Sequence, residues 1–276
     1  MSAVTAQRAR TGIPSYLRMV PKRRAGLTAW QWSLVFLVLV CAAIEILARS
    51  GVVSHATLVP FTQMVYEAGV LLITPGFYAS ALFPSLFAIV VAFVVASVLG
   101  VILGYVIWRL PAVRRALDAY LTAYYALPVF ALYPVLIAIW GQGTAPIATL
   151  AVIFAIVTVI MNAMNGFDGV PSIVDKLARS LDVSETVYFL RFFLPYALPS
   201  ILVGLRLAFL YSLLSVLSAE FLLSTQGIGF FISTSYLRFQ IGPMYGAVII
   251  VVVIAVGVDR LLALLTRRVS WAGGTA

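Results

Sequence analysis

The sequence predicts an all-α, polytopic membrane protein with six transmembrane helices and both termini in the cytoplasm, and three observations lead there. Apolar residues make up 63% of the chain and charged residues 10%, where ordinary soluble domains carry about 45–50% and about 25%. Six apolar stretches approach or exceed the roughly 20 residues that a helix needs to cross a hydrocarbon core of about 30 Å. Lys and Arg cluster at alternate ends of those stretches. A mean hydropathy of +1.09 excludes a water-soluble globule, and a disordered chain would need the opposite composition. Cys41 has no second cysteine to pair with, so no internal disulfide contributes.

The predicted spans are residues 30–48, 79–108, 117–140, 146–164, 198–223 and 245–265. Only a helix satisfies its own backbone hydrogen bonds in lipid, so each is read as helical. The first follows a basic segment, but it is too long for the core of a secretory signal. Ala48-Arg49-Ser50 also puts a charge where a cleavage site needs small residues, so it is read as a retained helix with Trp30 and Trp32 at the interface. Pro84 falls near the first turn of the second span, where a missing N–H costs little. Between these two, the mixed connection 51–78 holds a ten-residue apolar piece, 64–73, that is too short to span and is expected as a surface helix.

Orientation follows from the bases, which are retained on the cytoplasmic side. The N-terminal end carries Arg8, Arg10, Arg18, Lys22, Arg23 and Arg24, and the next inner connections carry Arg109, Arg114 and Arg115, then Lys176, Arg179 and Arg191. Arg260, Arg267 and Arg268 close the chain, whereas the opposite connections hold Arg49 and Arg238. A net charge of +9 would point to nucleic acid in a soluble protein. Here the bases border apolar runs and meet anionic lipid head groups, so membrane lipids and no nucleic acid are the expected contacts. Residues 1–28 form a basic cytoplasmic extension, and 29–276 form the transmembrane domain.

Catalytic groups are missing. The two lysines, Lys22 and Lys176, follow Pro21 and Asp175, so no phosphate-cradling Gly-rich loop ending in Gly-Lys exists. His55 is the single histidine and has no His or Cys neighbour for a metal site; no metal is expected. Asp175, Asp182 and Glu185 are interleaved with Lys176 and Arg179, as on a solvated amphipathic surface. Charges inside spans are costly and mark candidate functional positions. They are Glu45, Arg206, Glu220 and Asp259. Arg206 and Glu220 lie about 21 Å apart along one helix and cannot pair with each other; Asp259 and Arg260 are read as interfacial.

The inner segment 166–197 is longer than the two to eight residues of a typical helix-to-helix loop. After Gly166, Gly169 and Pro171, the residues Ile173, Leu177 and Leu181, with Val174 beside them, follow helical spacing. Ser184 can cap a second helix with Glu185 in its first turn and Val187, Leu190 and Leu194 on one side. Leu194-Pro195 and Leu198-Pro199 are expected to break that helix before the next span. An exposed apolar stripe of this kind wants a partner.

This segment resembles the cytoplasmic loop of the permease subunits of bacterial ABC importers, in particular the nitrate, sulfonate and taurine branch. The family's loop reads Glu-Ala-Ala, three residues, Gly, nine residues, then Ile-x-Leu-Pro. Lys176, Leu177 and Ala178, then Asp182, then Phe192-Phe193-Leu194-Pro195 keep that spacing, with Ala178 and Leu194-Pro195 matching outright. The resemblance continues in order through Gly100 and Gly104, Arg115-x-Leu117-Asp118, Ala126-Leu127-Pro128, Trp140-Gly141-x-Gly143, Asn165-Gly166, Gly204-Leu205-Arg206-Leu207 and Ala219-Glu220-Phe221 to Gly227-Ile228-Gly229.

The resemblance implies a type I ABC importer permease fold in the bacterial inner membrane. It implies ATP-binding cassette subunits that grip the inner helices, a second permease subunit, the same or related, and an extracytoplasmic substrate-binding protein. ATP and Mg would sit on the ATP-binding subunit, leaving this chain without a cofactor and without catalysis. Coupling residues by this reading are Val174, Lys176, Leu177, Ala178, Ser180, Leu181, Asp182, Val183, Ser184, Leu194 and Pro195, with Ala178 and Ser180 supplying small surface for docking. Pathway or gate candidates are Arg206, Glu220, Gly227 and Gly229, and a small nutrient anion such as a sulfonate, taurine or nitrate is the implied cargo. The alternative is a secondary carrier or other polytopic protein acting without an ATPase; the internal repeat and intramembrane ion site that a carrier usually shows are not evident.

Overall fold

The computed structural model describes residues 29–54, 57–124 and 128–272. The extension 1–28, His55 and the Ala126-Leu127 pair lie outside the described residues, as do the side chains of Trp30, Asp175, Arg179, Glu185, Arg267 and Arg268. Every regular element among the described residues is helical. They are α1 (Ala29–Arg49), α2 (Phe61–Leu72), α3 (Pro75–Phe77), α4 (Phe83–Arg109), α5 (Pro111–Ala123), α6 (Tyr133–Trp140), α7 (Thr144–Asp168), α8 (Ser172–Ser180), α9 (Glu185–Tyr188), α10 (Leu194–Leu223), α11 (Ile228–Leu237) and α12 (Ile241–Ala272). A π-turn at Tyr78–Leu82 joins α3 to α4, so that Pro75–Arg109 is one 35-residue rod.

Helix α7 is the centre of the molecule, with α4 on one side and α10 on the other. Small residues make both approaches possible, as bilayer-embedded packing requires when no hydrophobic drive separates helix from lipid. A methyl group at Gly100 would lie 2.6 Å from Val159 Cβ, and one at Gly204 would lie 2.6 Å from Asn162 Cβ. The core between these helices holds Ala88, Ala92, Leu150, Ala151, Phe209 and Val216. The short apolar piece expected as a helix is one: α2 buries Met64, Ala68 and Leu71 and packs on α12. Most of α1 is exposed, Phe36 by 70%. Glu45 ties it to α2 by accepting the Thr62 N–H (3.0 Å), its hydroxyl (3.0 Å) and Arg49 Nε (2.6 Å).

Five described helices are long and apolar enough to cross a membrane: Gln31–Arg49, Pro75–Arg109, Thr144–Asp168, Thr186–Leu223 and Ile241–Thr266. The predicted third span, 117–140, is not one helix. Helix α5 ends at Ala123, a 3-10 turn covers Val129–Leu132, and α6 starts at Tyr133 with Pro134 in its first turn. Pro128 lacks the N–H that continuation would require and disfavours helical backbone before it.

The expected break before the fifth span is also absent, because α9, a π-turn at Phe189–Phe193 and α10 run on as one rod over Thr186–Leu223. The π-turn changes the hydrogen-bond register just before Pro195, which then sits in the first turn of α10, and Pro199 is carried inside the helix.

Candidate functional site

Helix α8 stands at the end of the bundle where α4 finishes and α7 hands over to the 166–197 segment. It presents two faces. Ile173, Leu177 and Leu181, each half or more exposed, form one stripe at i, i+4 and i+8, whereas Val174 and Ala178 are buried against the chain itself. Val174 is thus turned away from the stripe that the periodicity put beside it, and Ala178 is not on the free surface. Lys176 and Ser180 are exposed, and Ser180 Oγ donates to the Leu177 carbonyl (2.8 Å).

The helix closes through Asp182, whose φ of +49° is left-handed. The Val183 N–H returns to the Ala178 carbonyl (3.4 Å), the bond that a left-handed residue just past a helix end makes possible. Asp tolerates this conformation better than most residues carrying a Cβ, though less well than Gly. Exposed Ser184 stands just before α9, Leu194 is half-buried, and Pro195 is exposed.

The residue that anchors the segment is one the periodicity did not single out. Phe193 is buried, with its ring centroid 5.1 Å from that of Trp108, 5.6 Å from Phe167, 5.8 Å from Phe189 and 5.9 Å from Tyr188. Tyr105 joins through Phe167 (5.7 Å) and Phe189 (5.3 Å). These rings line a cavity of about 540 Å³ whose wall also includes Ala178, Arg109 and Asp182. The spacing of Tyr105 and Trp108, one turn apart, was a signal in the sequence; their partners are on other helices.

Beside the cluster, Asp168 at the end of α7 accepts Arg114 Nη1 (2.7 Å) and Nη2 (2.6 Å) and Trp108 Nε1 (3.1 Å). The guanidinium's hydrogen bonds to Asp168, more than the charge itself, hold the Arg114 pKa above its ordinary value. Both side chains remain over a third exposed, a setting in which an ion pair contributes about 0–1 kcal/mol to stability.

Of the pathway candidates, Glu220, Gly227 and Gly229 come together at the opposite end of α10. The Glu220 carboxyl is buried (2% exposed) and lies 2.7 and 2.8 Å from Ser85 Oγ, which donates to it. Gly229 N–H also donates to it (3.0 Å), while Ser85 Oγ accepts the Ile228 N–H (2.7 Å). Gly227 N–H donates to the Ser80 carbonyl (2.9 Å). A methyl group on Gly227 would fall on the Glu220 carboxyl group, and one on Gly229 would strike the Leu217 carbonyl. One carboxyl thus fastens α4, α10 and the start of α11.

Arg206 lies apart from this knot. It forms a bidentate pair with Asp259 of α12, with Nη2 2.7 Å from Oδ2 and Nε on Oδ1. The pair, with Arg260, Thr266 and the apolar Val203, Leu207 and Leu210, borders a groove of about 530 Å³. Asp259, read as interfacial, is the partner that Arg206 lacked in the sequence. Among the described residues no three His, Cys, Asp or Glu side chains converge on a point that could hold a metal.

The model of the family described as "Binding-protein-dependent transport system inner membrane component" matches residues 96–271, from α4 to α12. The nitrate import permease protein NrtB of Synechocystis sp. is 31% identical over 154 residues, 56% of each chain. The bicarbonate transport system permease protein CmpB of Synechococcus elongatus is 35% identical over 123 residues, 44% of each chain. The taurine transport system permease protein TauC of Escherichia coli is 27% identical over 164 residues, 59% of this chain and 60% of TauC. The chain thus spans about half the length of the curated relatives it matches. An inward-facing structure of the methionine ABC transporter MetNI shares the fold, with a TM-score of 0.61 at 14% identity over 74% of this chain and all of the matched one. The match over most of its length shows that the chain belongs to the binding-protein-dependent transport system inner membrane component family.

Proposed function

We propose that the chain is the transmembrane permease subunit of an ATP-driven importer, supplying half of a translocation pathway and coupling to an ATP-binding subunit through segment 166–197. In this reading the membrane is crossed six times, the α5–α6 region making the third crossing, with both termini in the cytoplasm of a bacterial cell. The observation that carries it is the outward stripe Ile173, Leu177 and Leu181, held on a helix whose other face is locked to the bundle by Val174 and Ala178. A helix gripped from outside and fixed from inside transmits displacement.

ATP and Mg belong to the gripping subunit, a second permease subunit completes the pathway, and an extracytoplasmic binding protein delivers cargo. The names of the relatives favour a small nutrient anion such as nitrate, taurine or another sulfonate. Coupling contacts fall to Lys176, Leu177, Ser180, Leu181 and Ser184, while Asp182, Val183, Leu194 and Pro195 shape the turn and the exit.

Burying an exposed Leu is worth about 1.5–3 kcal/mol, so Leu177→Asp should weaken ATPase association at least tenfold. Co-purification and binding-protein-stimulated ATP hydrolysis measure it; an unchanged complex refutes the docking reading, and uptake by the chain alone in liposomes supports a carrier instead.

A further inference from the structure

Helix α5 poses a mechanical question. Val113 and Tyr120 are exposed, none of its residues is fully buried, and Leu117 and Leu121 rest half-buried on Ile107, Ile160 and Met164. Its two ends are held by polar contacts as well. Beyond its last turn the Tyr124 hydroxyl donates to the Ile153 carbonyl (2.5 Å) on α7. Near its start, Arg114 grips both oxygens of Asp168. The same Asp168 accepts the indole N–H of Trp108, and the Trp108 ring packs on Phe193 of the π-turn that leads out of the docking segment. One continuous series of contacts therefore runs from α8–α9 through Phe193, Trp108 and Asp168 to Arg114. A bidentate guanidinium–carboxylate pair is geometrically specific even where it adds little stability.

We propose that Trp108, Asp168 and Arg114 are positioning residues that make α5 move together with the docking segment, so that a displacement imposed on α8 re-aims the start of the third crossing as well as the fifth. The proposal rests on the docking reading above. Asp168 is the hinge point because its two oxygens serve both neighbours: Oδ1 takes the indole and one guanidinium nitrogen, and Oδ2 takes the other. Loss of the carboxylate charge loosens the start of α5, while the packing of Leu117 and Leu121 and the aromatic contact between Trp108 and Phe193 stay in place.

The test uses the whole transporter, with its ATPase subunits, second permease subunit and binding protein, in liposomes. Cys41→Ser is the background, and spin labels are placed at Leu190, an exposed position of the inner segment outside the docking contacts, and at Tyr120, each against a reference at Val253, an exposed site on α12. In the otherwise unaltered chain both labels should shift between the nucleotide-free and ATP-trapped states. In Asp168→Asn the Leu190 label should still shift and the Tyr120 label should shift less than half as far, with uptake reduced at least fivefold while stimulated ATP hydrolysis stays within twofold. Trp108→Phe, which keeps a ring and removes the N–H, should give an intermediate loss.

Asp168→Glu, which keeps both carboxylate oxygens for the guanidinium and the indole, should retain at least half of the uptake, whereas a merely space-filling role would favour the isosteric Asn over Glu. An undiminished Tyr120 shift in Asp168→Asn, or uptake in Asp168→Glu no better than in Asp168→Asn, overturns the proposal. If the Leu190 label itself stays still on ATP binding, the docking reading fails first and takes this proposal with it.

Discussion

Adding one methyl group at Gly227 tests whether the Glu220 knot is a structural fastening. Gly227 has φ 102° and ψ 171°, a region essentially confined to glycine, where another residue costs about 1–3 kcal/mol. Its methyl group would also fall on the Glu220 carboxyl, which cannot withdraw without giving up hydrogen bonds from Ser85 or Gly229. Leaving a buried donor or acceptor unpaired in this way costs about 1–3 kcal/mol.

Gly143 is a natural control. Its φ of 136° and ψ of −158° fall in the same region, yet nothing lies within 4 Å of where its Cβ would be. Gly143→Ala should therefore show the backbone cost alone, about 1–3 kcal/mol, and Gly227→Ala at least about 1 kcal/mol more. Thermal or denaturant unfolding of the purified chain in nanodiscs reads the difference. In the double variant with Glu220→Ala the two losses should be less than additive, because the obstacle to the methyl group has gone. Equal stability of Gly227→Ala and Gly143→Ala would refute the reasoning, and undiminished stability with abolished transport would make Gly227 a gate residue.

Three further predictions concern glycines and the turn. Gly100→Ala should destabilise the α4–α7 contact by about 1–3 kcal/mol, since its Cβ would meet Val159 and the Ile156 carbonyl; Gly257→Ala, with open space at its Cβ in α12, should instead be neutral or gain up to about 1 kcal/mol. Asp182→Gly relieves a left-handed residue at the end of α8 and should stabilise the segment by up to about 1 kcal/mol, read as slower amide exchange at Val183.

Much of the helix count was legible along the chain. The predicted spans 30–48, 79–108, 146–164 and 245–265 each lie within a helix of the structure, because transfer into lipid depends on the composition of a window and little else. The span at 117–140 failed as a single helix because hydropathy averages over Pro128, whose effect is on backbone donors. The reverse error arose at Leu194-Pro195 and Leu198-Pro199: the prolines were read as a break, and a π-turn absorbs them. In the site, the stripe Ile173, Leu177 and Leu181 was visible as a period, and the structure puts it outward. Ala178, chosen for its small size, is buried instead, since a small residue serves equally well beneath a helix and on top of it.

By itself the sequence determined a helical membrane protein, most of the segments able to cross, the unequal distribution of bases and the apolar stripe Ile173, Leu177 and Leu181, all of them properties summed over neighbours in the chain. The tertiary structure decided the pairings: Arg206 with Asp259, Arg114 and Trp108 with Asp168, Glu220 with Ser85 and Gly229, and Phe193 with Trp108. Most of these join residues tens of positions apart or more, and even Glu220 and Gly229 meet only because the chain turns back between α10 and α11. A hydrogen bond between such groups exists only once helix packing has set their separation, and that packing is governed by close approaches such as Gly100 to Val159 and Gly204 to Asn162.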